Sequence, residues 1–415
     1  MRDVRMKGFA ERADVEEVEA FLASEARPLP AEPVSLADCA GRVLAEDVAA
    51  PVDVPGFRRS AMDGYAVRGE DSFGASAYEP IALRLLGQSL PGAPFAGKVG
   101  PGCAVRIMTG APVPEGADAV VMAEVCEERD GSVEVSEAVA PRKHVSEVGE
   151  DVRCGQPLLG AGRRLRPQDV GLLASIGVAQ VACVTQPRVQ LVITGDELLP
   201  AGSRPEGARI VDSNSPMLAA LVARDGGRLL PWEILPDRPE RVRSALQGSE
   251  AEVLLVSGGS SVGQEDHAPR LVAELGRLDF HGLAMRPSSP AGVGRIGGRW
   301  VFLLPGNPVS CLCAYEFFAG PCLRALGGRP RDWPHRRVRL PLARKLASAI
   351  GRTDYVRVAV EAGRVVPIAT SGASILSSTV RADGCVIVAR ELEGLPEGAE
   401  VEVRLYDDAP PEGPA

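Results

Sequence analysis

From Pro187 onward the chain alternates continuous apolar runs with amphipathic stretches of ten or more residues, and that rhythm leaves few folds open. Val189–Ile193, Arg228–Leu235, Val253–Val256, Phe280–Met285 and Trp300–Leu304 read as strands. Helices are expected from Ser215-Pro216, from Arg238, near Ala268 and from Val309. Strands with no polar face must be covered on both sides, which predicts a doubly wound α/β domain with a mostly parallel sheet over 187–331. Ser215-Pro216 reads as a cap followed by proline at the first helical position.

On either side the period changes. Val15, Val18, Phe21 and Leu22 recur at three and four, so the first fifty residues look helical, with Ser35-Leu-Ala-Asp38 opening a second short helix. Between 51 and 140, short strands such as Ile81–Leu86, Ala104–Met108 and Ala119–Glu124 alternate with Gly/Pro turns. They predict a β-rich domain inserted into a mixed α/β N-terminal domain made of 1–50 and 141–186, the latter carrying a helix-like run at Pro167–Ile176. From 332 to 415, Val338–Leu340, Tyr355–Val360, Val365–Ile368, Val386–Ala389 and Val401–Leu405 have period-two character. They predict a small antiparallel β-barrel or sandwich. The whole is a multidomain α/β and β protein.

Composition removes several functions. A net charge of −9 argues against nucleic acid or an anionic membrane as partner, and 4% aromatic residues are too few for base-stacking platforms. Nine cysteines form no CxxC pair, and the four histidines, His267 and His281 among them, never gather at ligand spacing. No apolar run is long enough to span a bilayer, and the charged start lacks a signal-peptide core. The expectation is a cytoplasmic protein without a protein-ligated transition metal.

In an open parallel sheet, ligands bind beyond the carboxyl ends of the strands. There the sequence places Thr194-Gly-Asp-Glu-Leu198, Pro236-Asp237, Ser257-Gly-Gly-Ser-Ser-Val-Gly263-Gln-Glu-Asp266, Met285-Arg-Pro-Ser-Ser-Pro290 and Pro305-Gly-Asn-Pro-Val-Ser310. All are polar, Gly/Pro-rich or both. Gly258, Gly259 and Gly263 would let the backbone approach a phosphate, with Ser257, Ser260 and Ser261 adding hydroxyls. The same residues also suit a plain turn. Glu197, Asp237 and Asp266 would repel a phosphate unless Mg²⁺ sits between them. Taken singly, Asp237 and Asp266 are equally suited to capping the helices that follow them. The three carboxylates beside a glycine loop favour a metal–phosphate site. Pro305, Gly306, Asn307 and Pro308 make a rigid turn, and Arg286 is the cation suited to an oxyanion. Asp63-Gly64 and Thr109-Gly110 read as turns whose role composition does not settle.

SAMDGYAV, RIMTGAPVPEGADAVV, GEDVRCGQPLLGAG, TGDEL, SGGSSVG, LPGNPVS and GRTDYVRV occur in that order over nearly the whole chain. The series closely resembles the molybdopterin molybdenumtransferase (MoeA) family, to which the gephyrin E domain also belongs. The resemblance implies a homodimer of four-domain subunits, the third domain MogA-like. It implies adenylylated molybdopterin and molybdate as substrates, with Mg²⁺-dependent release of AMP and insertion of molybdenum. Carried over by matching motif, Asp63, Thr109, Asp151, Glu197, Asp237 and Asp266 belong to the functional set. Pro305 and Pro308 match its PGNP turn, and Arg352 and the Ser374–Ser378 stretch its fourth-domain motifs. Asp63 is expected to reach the crevice of the other subunit. A MogA-type adenylyltransferase and molybdoenzyme chaperones are the implied partners.

Where well-known members carry a KPGKP-type stretch, this chain has Arg286-Pro-Ser-Ser-Pro290. Arg286 keeps one charge and Ser289 removes the second, so the departure falls on the oxyanion site and not on the family. Alternatives of other classes are a non-catalytic pterin-binding or scaffold paralogue, and a transferase specialised for tungstate. Retention of all three carboxylates favours the active enzyme, because a scaffold does not need them.

Overall fold

The computed structural model describes residues 12–258, 267–369 and 372–407. The chain divides into two compact units: one from the N-terminal helix, 41–45 and 182 onward, the other from 33–40 and 46–181.

In the first unit, helix α1 (Val15–Glu25) buries Val15, Val18 and Leu22, the face its spacing predicts. The expected second helix does not form. Residues 31–35 are extended, and Ser35 Oγ donates to Asp38 Oδ2 at 2.8 Å, closing a turn instead. Ser and Asp three apart cap turns as readily as helices.

The second unit is built on a six-stranded sheet of β1 (Gly64–Val67), β2 (Ile81–Ser89), β3 (Cys103–Ile107), β4 (Ala119–Met122), β5 (Cys126–Arg129) and β6 (Ser132–Val135), in the order β4-β1-β3-β2-β6-β5. Helix α2 (Pro167–Ser175) starts on proline, and buried Asp169 holds both Arg163 and Arg166.

The first unit then resumes with a seven-stranded sheet. Its strands are β7 (Arg188–Thr194), β8 (Arg228–Leu229), β9 (Ile234–Leu235), β10 (Val253–Ser257) and β11 (Arg277–His281), with two more described below. Helices α3 (Asn214–Arg224), α4 (Pro239–Gly248) and α5 (Ala268–Leu275) connect them. Between β11 and the sheet's next strand, Met285–Arg286 (β12) leaves to pair elsewhere. The remaining strands are β13 (Gly292–Ile296) and β14 (Arg299–Leu304), giving the order β8-β7-β10-β14-β13-β11, with β9 also on β7. Pairings β7–β8, β7–β9, β7–β10 and β10–β14 are parallel; β14–β13 and β13–β11 are antiparallel.

Alternate residues of the central strands enter opposite cores. Leu191, Ile193, Leu255 and Phe302 join α1, α3 and the helix after β14, whereas Val192, Leu254, Val256 and Val301 join α4 and α5. Each such side chain contributes roughly 1.5–3 kcal/mol by leaving water.

Three local expectations are corrected. The single strand over Arg228–Leu235 is two short ones, because Pro231 interrupts the ladder. Phe280–Met285 is not one strand: β11 ends at His281. The strand β13 was not among those expected. Gly294 lets two strands close up, since a Cβ there would lie 2.5 Å from the Arg277 carbonyl oxygen. Only β13 runs against the rest, so the Gly282–Ala291 connection still lies at the carboxyl edge.

After β14 a helical run spans Pro308–Leu326, as α6 (Pro308–Ala314), a π turn at Tyr315–Ala319, and α7 (Gly320–Leu326). It is long and apolar enough to cross a bilayer, but 89% of it is buried in the protein core, and Cys311, Cys313 and Cys322 are small core residues there. Its π turn carries Glu316, whose carboxylate accepts from Arg224 Nη1 at 2.6 Å and Nη2 at 3.0 Å. Arg224 and Arg324 both reach buried Asp225 at 2.9 Å.

The last strands are β15 (Arg336–Pro341), β16 (Thr353–Glu361), β17 (Arg364–Ala369), β18 (Gly384–Val388) and β19 (Glu400–Leu405). β16 pairs with β17 and β18, β18 with β19, and β19 with β15. Just beyond β15, Leu342 bridges Val365 of β17, which closes the ring into a barrel around Val356, Val358, Val386 and Val403. β12 joins the same sheet alongside the start of β16.

Candidate functional site

At the carboxyl edge of the seven-stranded sheet lies a cavity of about 620 Å³. Thr194 comes to it from the end of β7, Glu197 from the loop that follows, Asp237 from the loop after β9, and Ser257 and Gly258 from the end of β10. Gly306, Asn307 and Pro308 come from the turn after β14, and Ser374 from the barrel. The start of α3, Asp212 to Asn214, completes the wall.

The first two loops fix one another. Asp196 N donates to Asp237 Oδ2 at 3.4 Å, and Asp237 N to Asp196 Oδ1 at 3.3 Å. Asp237 therefore does not cap α4, whose N-cap is Arg238 with no side-chain cap bond. Glu197 is held by its backbone, its carbonyl accepting from Ile210 N at 2.9 Å.

Two helices begin at the cavity. α6 starts at Pro308 after the rigid turn, and Val309 N donates to Ala373 O at 2.9 Å, fixing the segment before Ser374. α3 starts two residues earlier than a Ser215 cap and Pro216 first residue suggested, because the Asp212 side chain takes the first free amides. Its Oδ1 accepts from Asn214 N at 2.9 Å and Ser215 N at 3.1 Å, and Oδ2 from the Ser215 hydroxyl. The first amide groups of both helices are already used, Asn214 N and Ser215 N by Asp212 and Val309 N by Ala373 O, and Pro216 and Pro308 have none, so the helix starts shape this wall and the hydroxyls and the Gly258 turn are its groups suited to an anion. Asp212 and Asn214 were missed in the sequence. The signal was Asp-Ser-Asn-Ser directly before an amphipathic run, with capping assigned to the wrong member.

Gly258 has φ +97°, and a Cβ there would fall 2.1 Å from the Thr194 carbonyl oxygen. Only glycine allows β10 to turn so close to β7. Gly258→Ala should lower stability by about 1–3 kcal/mol or more, read as a shifted urea midpoint; an unchanged midpoint would mean the loop is free to relax.

Gly259, Ser260, Ser261, Gly263 and Asp266 lie outside the described residues. Glu197, Asp237, Ser257, Gly258, Pro308 and Ser374 are brought together. Among the described residues, no group of three His, Cys, Asp or Glu side chains gathers at metal spacing. Arg286, the cation expected at this edge, shares a counter-ion with a second arginine. Its Nη2 donates to buried Asp354 at 2.5 Å, and Arg352 Nε donates to the same carboxylate at 3.1 Å. The Ser289 hydroxyl and Arg286 Nε are buried without partners among the described residues. Ser288 Oγ donates to Ser310 O at 2.5 Å, which ties this loop to α6.

Asp63, Thr109 and Asp151 belong to the other unit. Asp63 and Thr109 are in contact: Asp63 Oδ1 accepts from Thr109 N and Oγ1, both at 2.7 Å. These bonds, the backbone one foremost, hold the exposed carboxyl below the usual carboxylate range. A depressed folded value contributes stability above the ordinary pKa near 3.9 and loses it as pH falls through the folded value. In an NMR titration of its side-chain carbon, Asp63 should therefore titrate below about pH 3.9. Thr109→Val, which keeps only the backbone donor, should move the midpoint part of the way back up; an unmoved midpoint would exclude the hydroxyl as a cause.

Comparison with known proteins gives three family matches in order: the MoeA N-terminal region (domain I and II) over 13–177, a "Probable molybdopterin binding domain" over 190–325, and the MoeA C-terminal region (domain IV) over 339–406. The chain is 33% identical over 391 residues to the molybdopterin molybdenumtransferase of Haemophilus influenzae, covering 92% of this chain and 95% of that one. It is 34% identical over 385 residues to molybdopterin molybdenumtransferase 2 of Mycobacterium tuberculosis, covering 89% and 94%. The crystal structure of a molybdopterin biosynthesis MoeA protein from Pyrococcus horikoshii superposes with a TM-score of 0.80 at 32% identity, over 96% of this chain and 100% of that one. Strand-end loops, glycine turn and PGNP turn thus stand on a backbone shared from end to end, and the chain belongs to the MoeA family.

Proposed function

We propose that this protein is a molybdopterin molybdenumtransferase of molybdenum cofactor biosynthesis, which hydrolyses adenylylated molybdopterin, releases AMP and inserts molybdenum from molybdate. The observation that carries this reading is the cavity at the carboxyl edge of the sheet, where Glu197 and Asp237 line the same space as the Ser257 hydroxyl and the Gly258 turn, groups suited to a phosphoanhydride.

Hard carboxylate oxygens fit Mg²⁺, which is commonly held by one or two carboxylates together with substrate phosphates. Glu197 and Asp237 would hold it here. When bound, Mg²⁺ neutralises charge that builds on the phosphate oxygens during hydrolysis. The protein's own groups do the rest. The Ser257 hydroxyl and the Gly258 turn receive the phosphates, the Asp196–Asp237 pair keeps the loops in register, and Pro308 stiffens the wall. Hydrolysis adds a water oxygen to phosphorus and breaks the P–O–P bond, the proton passing to solvent. The reading further includes a homodimer located in the cytoplasm.

The test is AMP release from adenylylated molybdopterin with and without Mg²⁺ and molybdate. Release that needs Mg²⁺ supports the proposal. No release in their presence would overturn it.

Arg286 and Arg352 share one buried carboxylate and so keep one net positive charge with N–H groups left over. We propose this pair as the oxyanion site in place of the family's second lysine. Arg286→Ala should raise the molybdate needed for half-maximal insertion by roughly ten- to a hundredfold, the worth of a charged hydrogen bond. Metal-free AMP release should change far less. The check is a molybdate titration of cofactor formation, and an unchanged curve would place the oxyanion elsewhere.

A further inference from the structure

We infer that Asn214 is a positioning residue for this reaction, its side-chain amide clamping together the two turns that hold the substrate's phosphate end. The inference rests on the function proposed above and concerns a residue the sequence reading left unassigned.

Asn214 opens α3 and is 7% exposed. Its Nδ2 donates to Ser257 Oγ at 2.9 Å and to Gly306 O at 2.8 Å. Since the Gly306 carbonyl can only accept, the amide nitrogen must face it, and the orientation of the side chain is decided. Both amide hydrogens are therefore committed. One holds the last residue of β10, directly before the Gly258 turn; the other holds the PGNP turn before α6. These turns come from different parts of the chain, and no other described side chain bonds to both.

The cost of the arrangement lies at the opposite atom. Asn214 Oδ1 is buried with no partner among the described residues. Burying an unmatched acceptor is unfavourable, so the side chain's net contribution comes from its two donors. The backbone is fixed as well, because Asp212 accepts from Asn214 N at 2.9 Å and from Ser215. Asp212 thus anchors Asn214, and Asn214 spans the gap. With Asn214 as its donor, the Ser257 hydroxyl keeps its own hydrogen. The neighbouring Cys311 Sγ is 4.0 Å away, a weak contact that leaves this hydrogen available to a phosphate oxygen.

Asn214→Asp preserves shape and removes both donors, and its carboxylate also faces the Gly306 carbonyl. In the full-length protein, Asp at this position should raise KM for adenylylated molybdopterin about tenfold and change kcat less than threefold, because ground and transition states lose the same contacts. Amide hydrogen exchange without substrate should rise in peptides covering both 253–258 and 305–310 and stay unchanged in the barrel. Ser257→Ala, which removes one of the two bonds, should move KM the same way by less. Combined with Asn214→Asp it should add less than its own effect, and it serves if the Asn214 variant does not fold. Unchanged exchange in either peptide, or strictly additive KM effects, would overturn the clamp. A wild-type protein that releases no AMP would overturn the proposed reaction instead, and the exchange experiment would still decide whether Asn214 joins the turns.

Discussion

AMP release should fall at least about a hundredfold in Asp237→Asn, a loss of roughly 2.7 kcal/mol in transition-state stabilisation. The geometry makes this substitution a clean test of charge. Asp237 Oδ2 accepts from Asp196 N, and its own N–H donates back across the same pair of loops. An asparagine oxygen can still accept that bond, so the loops keep their register and only the negative charge goes. Glu197→Gln should act in the same direction from the opposite loop. Both variants should unfold cooperatively near the wild-type midpoint, since neither side chain supports a core. Steady-state AMP assays over a Mg²⁺ titration provide the check. Near-normal turnover in both variants, or wild-type turnover in excess chelator, would remove the carboxylates from the mechanism.

The largest effect on stability should come from Glu316→Ala. Glu316 is 3% exposed, and burial pushes its carboxyl up, but His335 and Arg224 more than offset this and hold it at about 2. Arg224 donates to it twice and also bonds Asp225, which Arg324 reaches from the other side. Removing one carboxylate leaves a largely buried guanidinium short of a counter-charge. Breaking a buried pair in this way costs about 3–5 kcal/mol. The folded value lies below the ordinary one, so the contribution is present above about pH 4.3 and lost as pH falls towards 2. The variant should therefore lose about half of its charge-dependent deficit relative to wild type by pH 3. Urea unfolding at pH 7 and near pH 3 measures both, and an equal deficit at the two values would show that cavity formation, not charge, sets the cost.

Much of this was legible in the chain. The helix and strand rhythm after Pro187 reports a sheet covered on both faces, because Leu191 and Val192 are both apolar and enter different cores. The loops that gather at the cavity were legible for the same reason, since a parallel sheet sends its polar strand ends to one edge. Tertiary decisions were not. The strand at Gly292–Ile296 was not read, because only the neighbouring strand shows that the missing side chains of Gly292 and Gly294 make room for pairing. Ser35 and Asp38 carry a capping signal that a turn satisfies equally well. The counter-ion of Arg286 was not legible, because Asp354 is distant in sequence. Asn214 carried no assignment, because its two long-range bonds exist only once β10 and the PGNP turn are side by side.

β12 is two residues long, yet it governs how this protein can be cut. Met285 and Arg286 pair with Thr353 and Asp354 at the start of β16, and Ala284 O accepts from Thr353 N at 2.8 Å. The barrel thus borrows its last rung from a segment threaded between two strands of the neighbouring sheet. A fragment beginning near residue 332 would retain five barrel strands and lose that rung. It would expose an unpaired backbone edge and strip Asp354 of one arginine. Open edges of this kind recruit other chains. The C-terminal region, although it matches a family model as a separate block, is physically a dependent module: expressed alone it should self-associate, and it becomes autonomous only if the missing rung is grafted back.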